Sequence, residues 1–399
     1  MPWQRDEAGE WLVGDTPLSR VVESIGSTPC YVYDRSKLTR RVRALRAVLP
    51  SQVLLHFAMK ANPMPALVCH MAGLVDGIDV ASFGELRVAL DSGMSAQHIS
   101  FAGPGKSDRE LVQAHAAGIL VNLESFREVG VLARASERSG VRARVAVRVN
   151  LPFELKASGM KMSGGARQFG IDAELVPDML REIVAADLAF EGFHMFAGSQ
   201  NLRHAAIVEA QTRCFEQALE WHDLLPSPLR SLNLGGGFGI PYTPGEAALD
   251  IEPILANLAA LCARLDTQMP GANLVIELGR YLVGEAGIYV SRVIDRKISR
   301  GQVFLVVDGG MHHHLAASGN FGQVIRRNYP VAINARNGAR ETASVVGPLC
   351  TPLDLLADRM ELEVAEPGDL VVVFQSGAYG RSASPRAFLS HPDVVEALV

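Results

Sequence analysis

Leu55-His-Phe-Ala-Met-Lys60-Ala-Asn-Pro63 is an apolar run that closes on one lysine and is stopped by a proline. Two readings of Lys60 are open at this point. It is a surface lysine that ends a strand, or a desolvated one whose neutral amine attacks carbonyl carbon and holds a Schiff base. Around this run, short apolar segments recur at Val53–Ala58, Gly77–Val80, His98–Phe101, Gly118–Leu123, Ala143–Val149, Ala189–Met195, Ser231–Leu234 and Asn273–Leu278. Between them, apolar residues at helical spacing mark Pro65–Met71, Glu85–Leu90, Arg109–His115, Leu123–Ala135, Leu175–Val184, Ile207–Leu225 and Ile254–Leu265. Eight strands alternating with helices over about 230 residues predict an α/β fold, a parallel (β/α)8 TIM barrel, with an open doubly wound sheet as the alternative.

A barrel carries its chemistry at the C-terminal ends of its strands. The strand ends here are Lys60; Asp79 with Ser82 and Glu85; Arg148; His194, followed by Gly198-Ser-Gln-Asn201; Gly235-Gly-Gly-Phe-Gly239; and Glu277-Leu-Gly-Arg280. Taken singly, each has a structural reading, a core histidine bonded to backbone in the case of His194. Gly235, Gly236 and Gly237 form either a flexible turn or a cradle whose backbone N–H groups close on an anion. They do not form a dinucleotide fingerprint, because Ile240 stands at the last glycine position. With Arg280 after the eighth strand, a phosphate monoester is the better guess. A phosphate site facing a strand-end lysine points to pyridoxal 5'-phosphate, with Glu277 at the pyridine nitrogen and His194 against the ring face.

Outward from the barrel, residues 1–30 look like an extended arm in which Pro17, Gly26 and Pro29 interrupt any helix, joining a β domain over 284–399; the barrel takes 31–283. In that domain Ile288–Ile294, Val303–Asp308, Val331–Ile333, Ala343–Val346 and Leu370–Phe374 look like strands. The 399 residues are 48% hydrophobic and carry a net charge of −5, which fits a globular chain with a large core. The sequence has no basic block for a nucleic acid, no apolar run long enough for a membrane span and an acidic N-terminus, so neither partner is expected and the chain is placed in the cytoplasm. Of five scattered cysteines, Cys30, Cys69, Cys214 and Cys262 read as core residues, and Cys350 lies in the turn-rich Gly347-Pro-Leu-Cys-Thr-Pro352.

Ala58-Met-Lys-Ala-Asn62, His194 with Gly198-Ser-Gln200, Gly235-Gly-Gly-Phe-Gly239, Glu277-Leu-Gly-Arg280, Gly347-Pro-Leu-Cys350 and Gly377-Ala-Tyr-Gly380 together resemble the ornithine/diaminopimelate decarboxylase family of pyridoxal phosphate enzymes (fold type III). The resemblance implies an alanine racemase-like barrel with a C-terminal mostly-β barrel domain. It implies α-decarboxylation through an external aldimine and a quinonoid/carbanion intermediate. In it Lys60 holds the cofactor, His194 stacks on the ring and Glu277 pairs with its nitrogen. Ser199, Gly237, Arg280 and Tyr379 hold the phosphate, and Asp79 and Arg148 support the ring. It further implies a head-to-tail homodimer with shared active sites, in which Cys350 enters the partner's site and reprotonates the substrate carbon.

Two departures bear on substrate. Leu278 stands where the family has proline, and Thr351 stands where ornithine- and diaminopimelate-type members have the acid that reads a distal amine. The runs Asp308-Gly-Gly-Met-His-His-His-Leu315 and Arg326-Arg-Asn-Tyr-Pro330 are most similar to a subgroup found with exopolysaccharide and exosortase gene clusters and to carrier-protein-glutamate decarboxylases. The expected substrate is therefore an amino acid or its acyl-carrier-protein-bound form, with Thr351, Asp354, His313 and Arg326 as candidate contacts. No metal is expected at His312–His314, because neighbours in a strand point to opposite faces. A racemase would be expected to have an arginine at the pyridine nitrogen and a tyrosine base, and a non-catalytic cofactor carrier would be expected to end near residue 280; these are the alternatives.

Overall fold

The computed structural model describes residues 3–153, 160–161, 164–321, 323, 326–334 and 338–399. The chain divides into two compact units, one of Val42–Ile240 with Ala247–Tyr281, the other of Met1–Arg41 with Pro241–Glu246 and Leu282–Val399.

The first unit is the barrel. Its strands are β1 (Val53–Ala58), β2 (Gly77–Val80), β3 (Ile99–Phe101), β4 (Leu120–Leu123), β5 (Arg144–Asn150), β6 (Ala189–Met195), β7 (Ser231–Gly236) and β8 (Asn273–Leu278). Each pairs in parallel with the next. β8 then pairs with β1, Leu278 opposite Phe57, so the sheet closes and the open-sheet alternative is excluded. Closure leaves no sheet edge, and helices on the outside bury the other face, which is why these strands read as nearly continuous apolar runs. Polar signals start the helices. Ser107 and Glu110 form a reciprocal capping box at Asp108–Ala116, and Ser82 accepts from Glu85 N–H at Phe83–Asp91. Leu278, in the proline position, is the last ladder residue of β8.

The second unit is mostly β. Its strands are β9 (Gly287–Ser299), β10 (Gln302–Val307), β11 (Val331–Ile333), β12 (Arg340–Val346), β13 (Leu355–Glu363) and β14 (Leu370–Val373), in the order β11-β14-β9-β10-β12-β13. The Cys30–Tyr33 strand runs antiparallel to the first half of β9, and the terminal Val395–Leu398 strand runs parallel to Cys30–Tyr33.

The N-terminal segment departs from the extended arm expected of it. It folds into a two-strand hairpin, Leu12–Val13 with Thr16–Pro17, and a helix, Leu18–Ile25. Pro17 and Gly26 bound that helix instead of interrupting it: Pro17 is its N-cap, and Gly26, at φ 84°, is its left-handed C-cap. Trp3, Trp11, Val13, Leu18, Val21 and Val22 bury themselves against Ile288, Val290, Leu370, Val372 and Phe374. The Trp11 and Phe374 rings meet edge to face at 4.8 Å.

Cys30, Cys214 and Cys262 are buried, whereas Cys69 is exposed, contrary to its core reading. Leu67, Val68 and Met71 occupy the inward face of the Pro65–Ala72 helix, so position 69 turns outward. No helix among the described residues is long and apolar enough to cross a membrane.

Candidate active site

Beyond β1 the chain enters a tight turn, Met59–Ala61, whose first and last residues are buried. Gly279 makes room for it, since a Cβ there would lie 2.9 Å from the Ala61 side chain. Lys60 therefore projects from a packed turn, its side chain 42% exposed, with Nζ 3.6 Å from Glu277 Oε1. The other oxygen of Glu277 is 2.8 Å from His194 Nε2. Burial alone would raise the Glu277 pKa, but Lys60, the His194 hydrogen bond and charge, and Arg148 outweigh it and hold the carboxyl well below the usual carboxylate range. The structure thus brings together Lys60, His194 and Glu277 from three strand ends.

Asp79 ends β2. Its Oδ1 accepts from Ser100 Oγ at 2.5 Å and lies 3.0 Å from His56 Nδ1, while its buried Oδ2 has no partner among the described residues. Arg148, on β5, donates to Glu124 Oε1 at 2.8 Å. Glu124 follows β4 and also takes the Gly170 N–H at 3.0 Å. Behind it, Lys106 Nζ is 3.9 Å from Glu124 and 3.1 Å from Glu128, the three side chains exposing 2% or less. Lys106, Glu124 and Glu128 escape the sequence reading. A signal was present: Lys106 and Glu124 follow β3 and β4, the two strand ends left without chemistry.

The glycine run after β7 is held tightly. Gly235 and Gly237 adopt φ of 68° and 76°, and a Cβ on Gly237 would fall 2.1 Å from Gly198 O. On Gly236 it would fall 2.1 Å from Glu277 O. The Gly235 N–H is committed to Asn233 Oδ1 at 2.8 Å, so this residue shapes the turn. Asn201 N–H donates to Gly237 O at 2.9 Å, stitching the loop after β6 to the glycines and carrying Ser199 with it. Ser199 Oγ and His194 Nδ1 are buried without partners among the described residues. Arg280 follows β8 and opens the short Arg280–Val283 helix.

In the second unit Cys350 is exposed in its turn. Asp354, a candidate substrate contact, has both oxygens committed to backbone: Oδ1 accepts Met311 N–H at 2.6 Å and Oδ2 accepts Leu349 N–H of the Cys350 loop at 2.8 Å. Gly310 and Gly347 allow the approach, since a Cβ on either would lie within 2.3 Å of the carboxylate. Thr351 Oγ1 accepts Leu353 N–H at 3.3 Å. Arg326 donates to Leu355 O at 2.6 Å and is half-buried. His312–His314 lie in turns and not in the expected strand, and all three are buried. His313 Nε2 reaches Pro392 O and His314 Nε2 reaches Ser376 Oγ, each at 2.9 Å. Among the described residues no cluster of His, Cys, Asp or Glu could hold a metal ion. Tyr379 sits at φ 56°, a costly conformation for a tyrosine and a pointer to function.

The barrel rim fits pyridoxal phosphate. It offers an amine at Lys60, an ionised acceptor at Glu277, a glycine turn that any side chain would fill, and three buried polar atoms, Asp79 Oδ2, His194 Nδ1 and Ser199 Oγ, whose hydrogen-bonding capacity the described residues do not use.

Comparison with known proteins agrees. Residues 35–284 match the pyridoxal-binding domain of the pyridoxal-dependent decarboxylases. The chain is 38% identical to L-glutamyl-[BtrI acyl-carrier protein] decarboxylase of Niallia circulans, over 93% of this chain and 88% of that protein. It is 30% identical to 2-[(L-alanin-3-ylcarbamoyl)methyl]-2-hydroxybutanedioate decarboxylase of Staphylococcus aureus, over 91% of this chain and 92% of that one. The crystal structure of diaminopimelate decarboxylase from Helicobacter pylori complexed with L-lysine superposes with a TM-score of 0.85 at 26% identity, covering 96% of this chain and 94% of that chain. The chain belongs to the pyridoxal-dependent decarboxylase family and is a pyridoxal phosphate-dependent carboxy-lyase that acts on an amino acid or a carrier-bound amino acid.

Proposed function

We propose that this enzyme removes the α-carboxyl group of an amino acid whose distal group is neutral or anionic, a carrier-bound glutamate being the leading candidate. The observation that carries the substrate reading is the Cys350 loop. It has Thr351 where an acid would read a distal ammonium, and its nearest carboxylate, Asp354, is committed to backbone N–H groups. The 38% identical relative, which acts on a carrier-bound glutamyl group, supports the same reading.

When bound, pyridoxal phosphate supplies the electron sink for the bond that breaks when CO2 leaves. Lys60 provides the attachment amine. Glu277, kept ionised by its cationic neighbours, would accept the pyridine N–H and so hold that proton in place. His194, fixed by Glu277, would cover a ring face, while Asp79 and Arg148 would support the ring from the barrel. Ser199, Gly236, Gly237 and Arg280 would hold the phosphate, with Gly235 shaping their turn. The family resemblance adds Tyr379 as a phosphate ligand and Cys350 as the group that returns a proton to the substrate carbon.

The same reading makes the enzyme a cytoplasmic homodimer. Besides Cys350 the second unit exposes Phe321, Leu353, Phe388 and Leu389, apolar residues that a partner subunit would cover. Five free cysteines fit a reducing compartment.

Steady-state assays test the substrate reading. Carrier-bound or free glutamate should exceed ornithine, lysine and diaminopimelate by about 100-fold in kcat/KM, the effect of a buried unpaired ammonium costing ~3 kcal/mol. Diamine efficiencies equal to or above that of glutamate overturn it.

A further inference from the structure

His56 is a largely buried ring, its side chain 12% exposed, that the proposed chemistry leaves unused. It lies on β1 four residues before Lys60, opposite Gly77 of β2 and Glu277 of β8. Gly77 is needed to admit it, since a Cβ there would sit 2.5 Å from His56 Nε2. From this slot Nδ1 approaches Asp79 Oδ1 at 3.0 Å. Ser100 Oγ donates to the same oxygen at 2.5 Å and in turn accepts from Asn122 Nδ2 at 3.3 Å, so one hydrogen-bonded line crosses β1 to β4. Both contacts to Asp79 fall on Oδ1. Oδ2 is buried, with no partner among the described residues.

We infer that His56 is a positioning residue: with Ser100 it fixes Asp79 through Oδ1 and so presents Oδ2, as a single oriented acceptor, to the cofactor bound at the strand ends. The inference rests on the reading that this rim holds pyridoxal phosphate. A charged imidazole suits the role, because a charge-assisted hydrogen bond fixes geometry more strongly than a neutral one. Burial pulls the His56 pKa down, but the facing carboxylates, Asp79 first, then Glu277 and Asp76, outweigh it and raise it.

The test uses the full chain, stripped of cofactor and titrated with pyridoxal phosphate. Asparagine places an N–H donor near the position of Nδ1, whereas glutamine places one near Nε2. His56→Asn should keep cofactor affinity within about three-fold of wild type with an unshifted absorption band. His56→Gln should weaken affinity about ten-fold or more, shift the band, and leave the melting temperature of the cofactor-free chain unchanged. A His56→Gln chain with wild-type affinity and band overturns the inference. Equal losses in both variants with a lowered cofactor-free melting temperature also overturn it, because that is the signature of packing alone. The wild-type titration separates the two readings: no uptake by wild type overturns both, while tight uptake without the Asn/Gln contrast overturns the role of His56 alone.

Discussion

Lys106→Met tests the buried charge network behind the site. The lysine side chain is 1% exposed, with Nζ 3.1 Å from Glu128 Oε1, 3.9 Å from Glu124 Oε1 and 2.6 Å from Gly103 O. Methionine keeps most of the length and volume, so a cavity is not the main effect. What is lost is the cation between two buried carboxylates. Burial already raises the Glu128 pKa against the pull of Lys106, so without Lys106 that group must take up a proton or remain uncompensated. Removing one partner of a buried pair costs about 3–5 kcal/mol. In a unit of this size each kcal/mol moves Tm by roughly 2–4 °C, so a fall of at least ~6 °C is expected. Glu124 keeps Arg148, so the double variant Lys106→Met/Glu128→Leu, which removes the pair together, should recover more than half of the loss. Thermal denaturation of the cofactor-free chains separates this from lost cofactor binding. A Lys106→Met chain within about 1 kcal/mol of wild type, or a double variant worse than the single, would refute the reasoning.

Gly237→Ala should lower cofactor affinity by more than about ten-fold in the same titration, because its Cβ meets Gly198 O and its φ is left-handed. Acid should destabilise the second unit through its histidines. Burial pushes His312 down to about 4 and His314 to about 3 from an ordinary 6.5, so the unfolded chain takes up these protons first. Stability is then complete above pH 6.5 and is lost as pH falls toward those values; denaturant midpoints that stay flat from pH 7 to about 4.5 contradict this. Mixing inactive Lys60→Ala and Cys350→Ala chains should restore roughly a quarter of wild-type activity after random reassortment of a two-fold dimer, and no recovery after verified exchange counts against shared sites. Thr351→Asp should improve diamine turnover at the expense of glutamate; unchanged ratios in a competition assay remove this position from substrate choice.

The barrel was legible because strands buried on both faces write themselves as apolar runs. Helices such as Asp108–Ala116 announce their starts with Ser107 and Glu110. β13 was not legible: Leu-Leu-Ala-Asp-Arg-Met-Glu-Leu-Glu favours helix by propensity, and pairing with β12 overrides that preference. Helix Leu18–Ile25 was hidden by breakers that in fact cap it. At the site, Lys60, His194 and Glu277 stood out as isolated polar ends of apolar strands. Lys106, Glu124 and Glu128 did not, because opposite charges about 20 residues apart declare themselves only when neighbouring strands bring them together. The setting of Asp354 was hidden for a related reason. Whether a carboxylate faces a substrate or two backbone N–H groups is decided by a loop fold that its residue type does not encode.

The proposed chemistry requires Lys60 to carry the cofactor. Borohydride reduction of the cofactor-loaded protein, followed by digestion and mass spectrometry, should place the reduced pyridoxyl group on Lys60 and bleach the yellow band. Lys106, which follows β3, is a natural competitor, and its side chain is buried between Glu124 and Glu128. A pyridoxyl group found on Lys106 or on any lysine other than Lys60 would contradict this assignment.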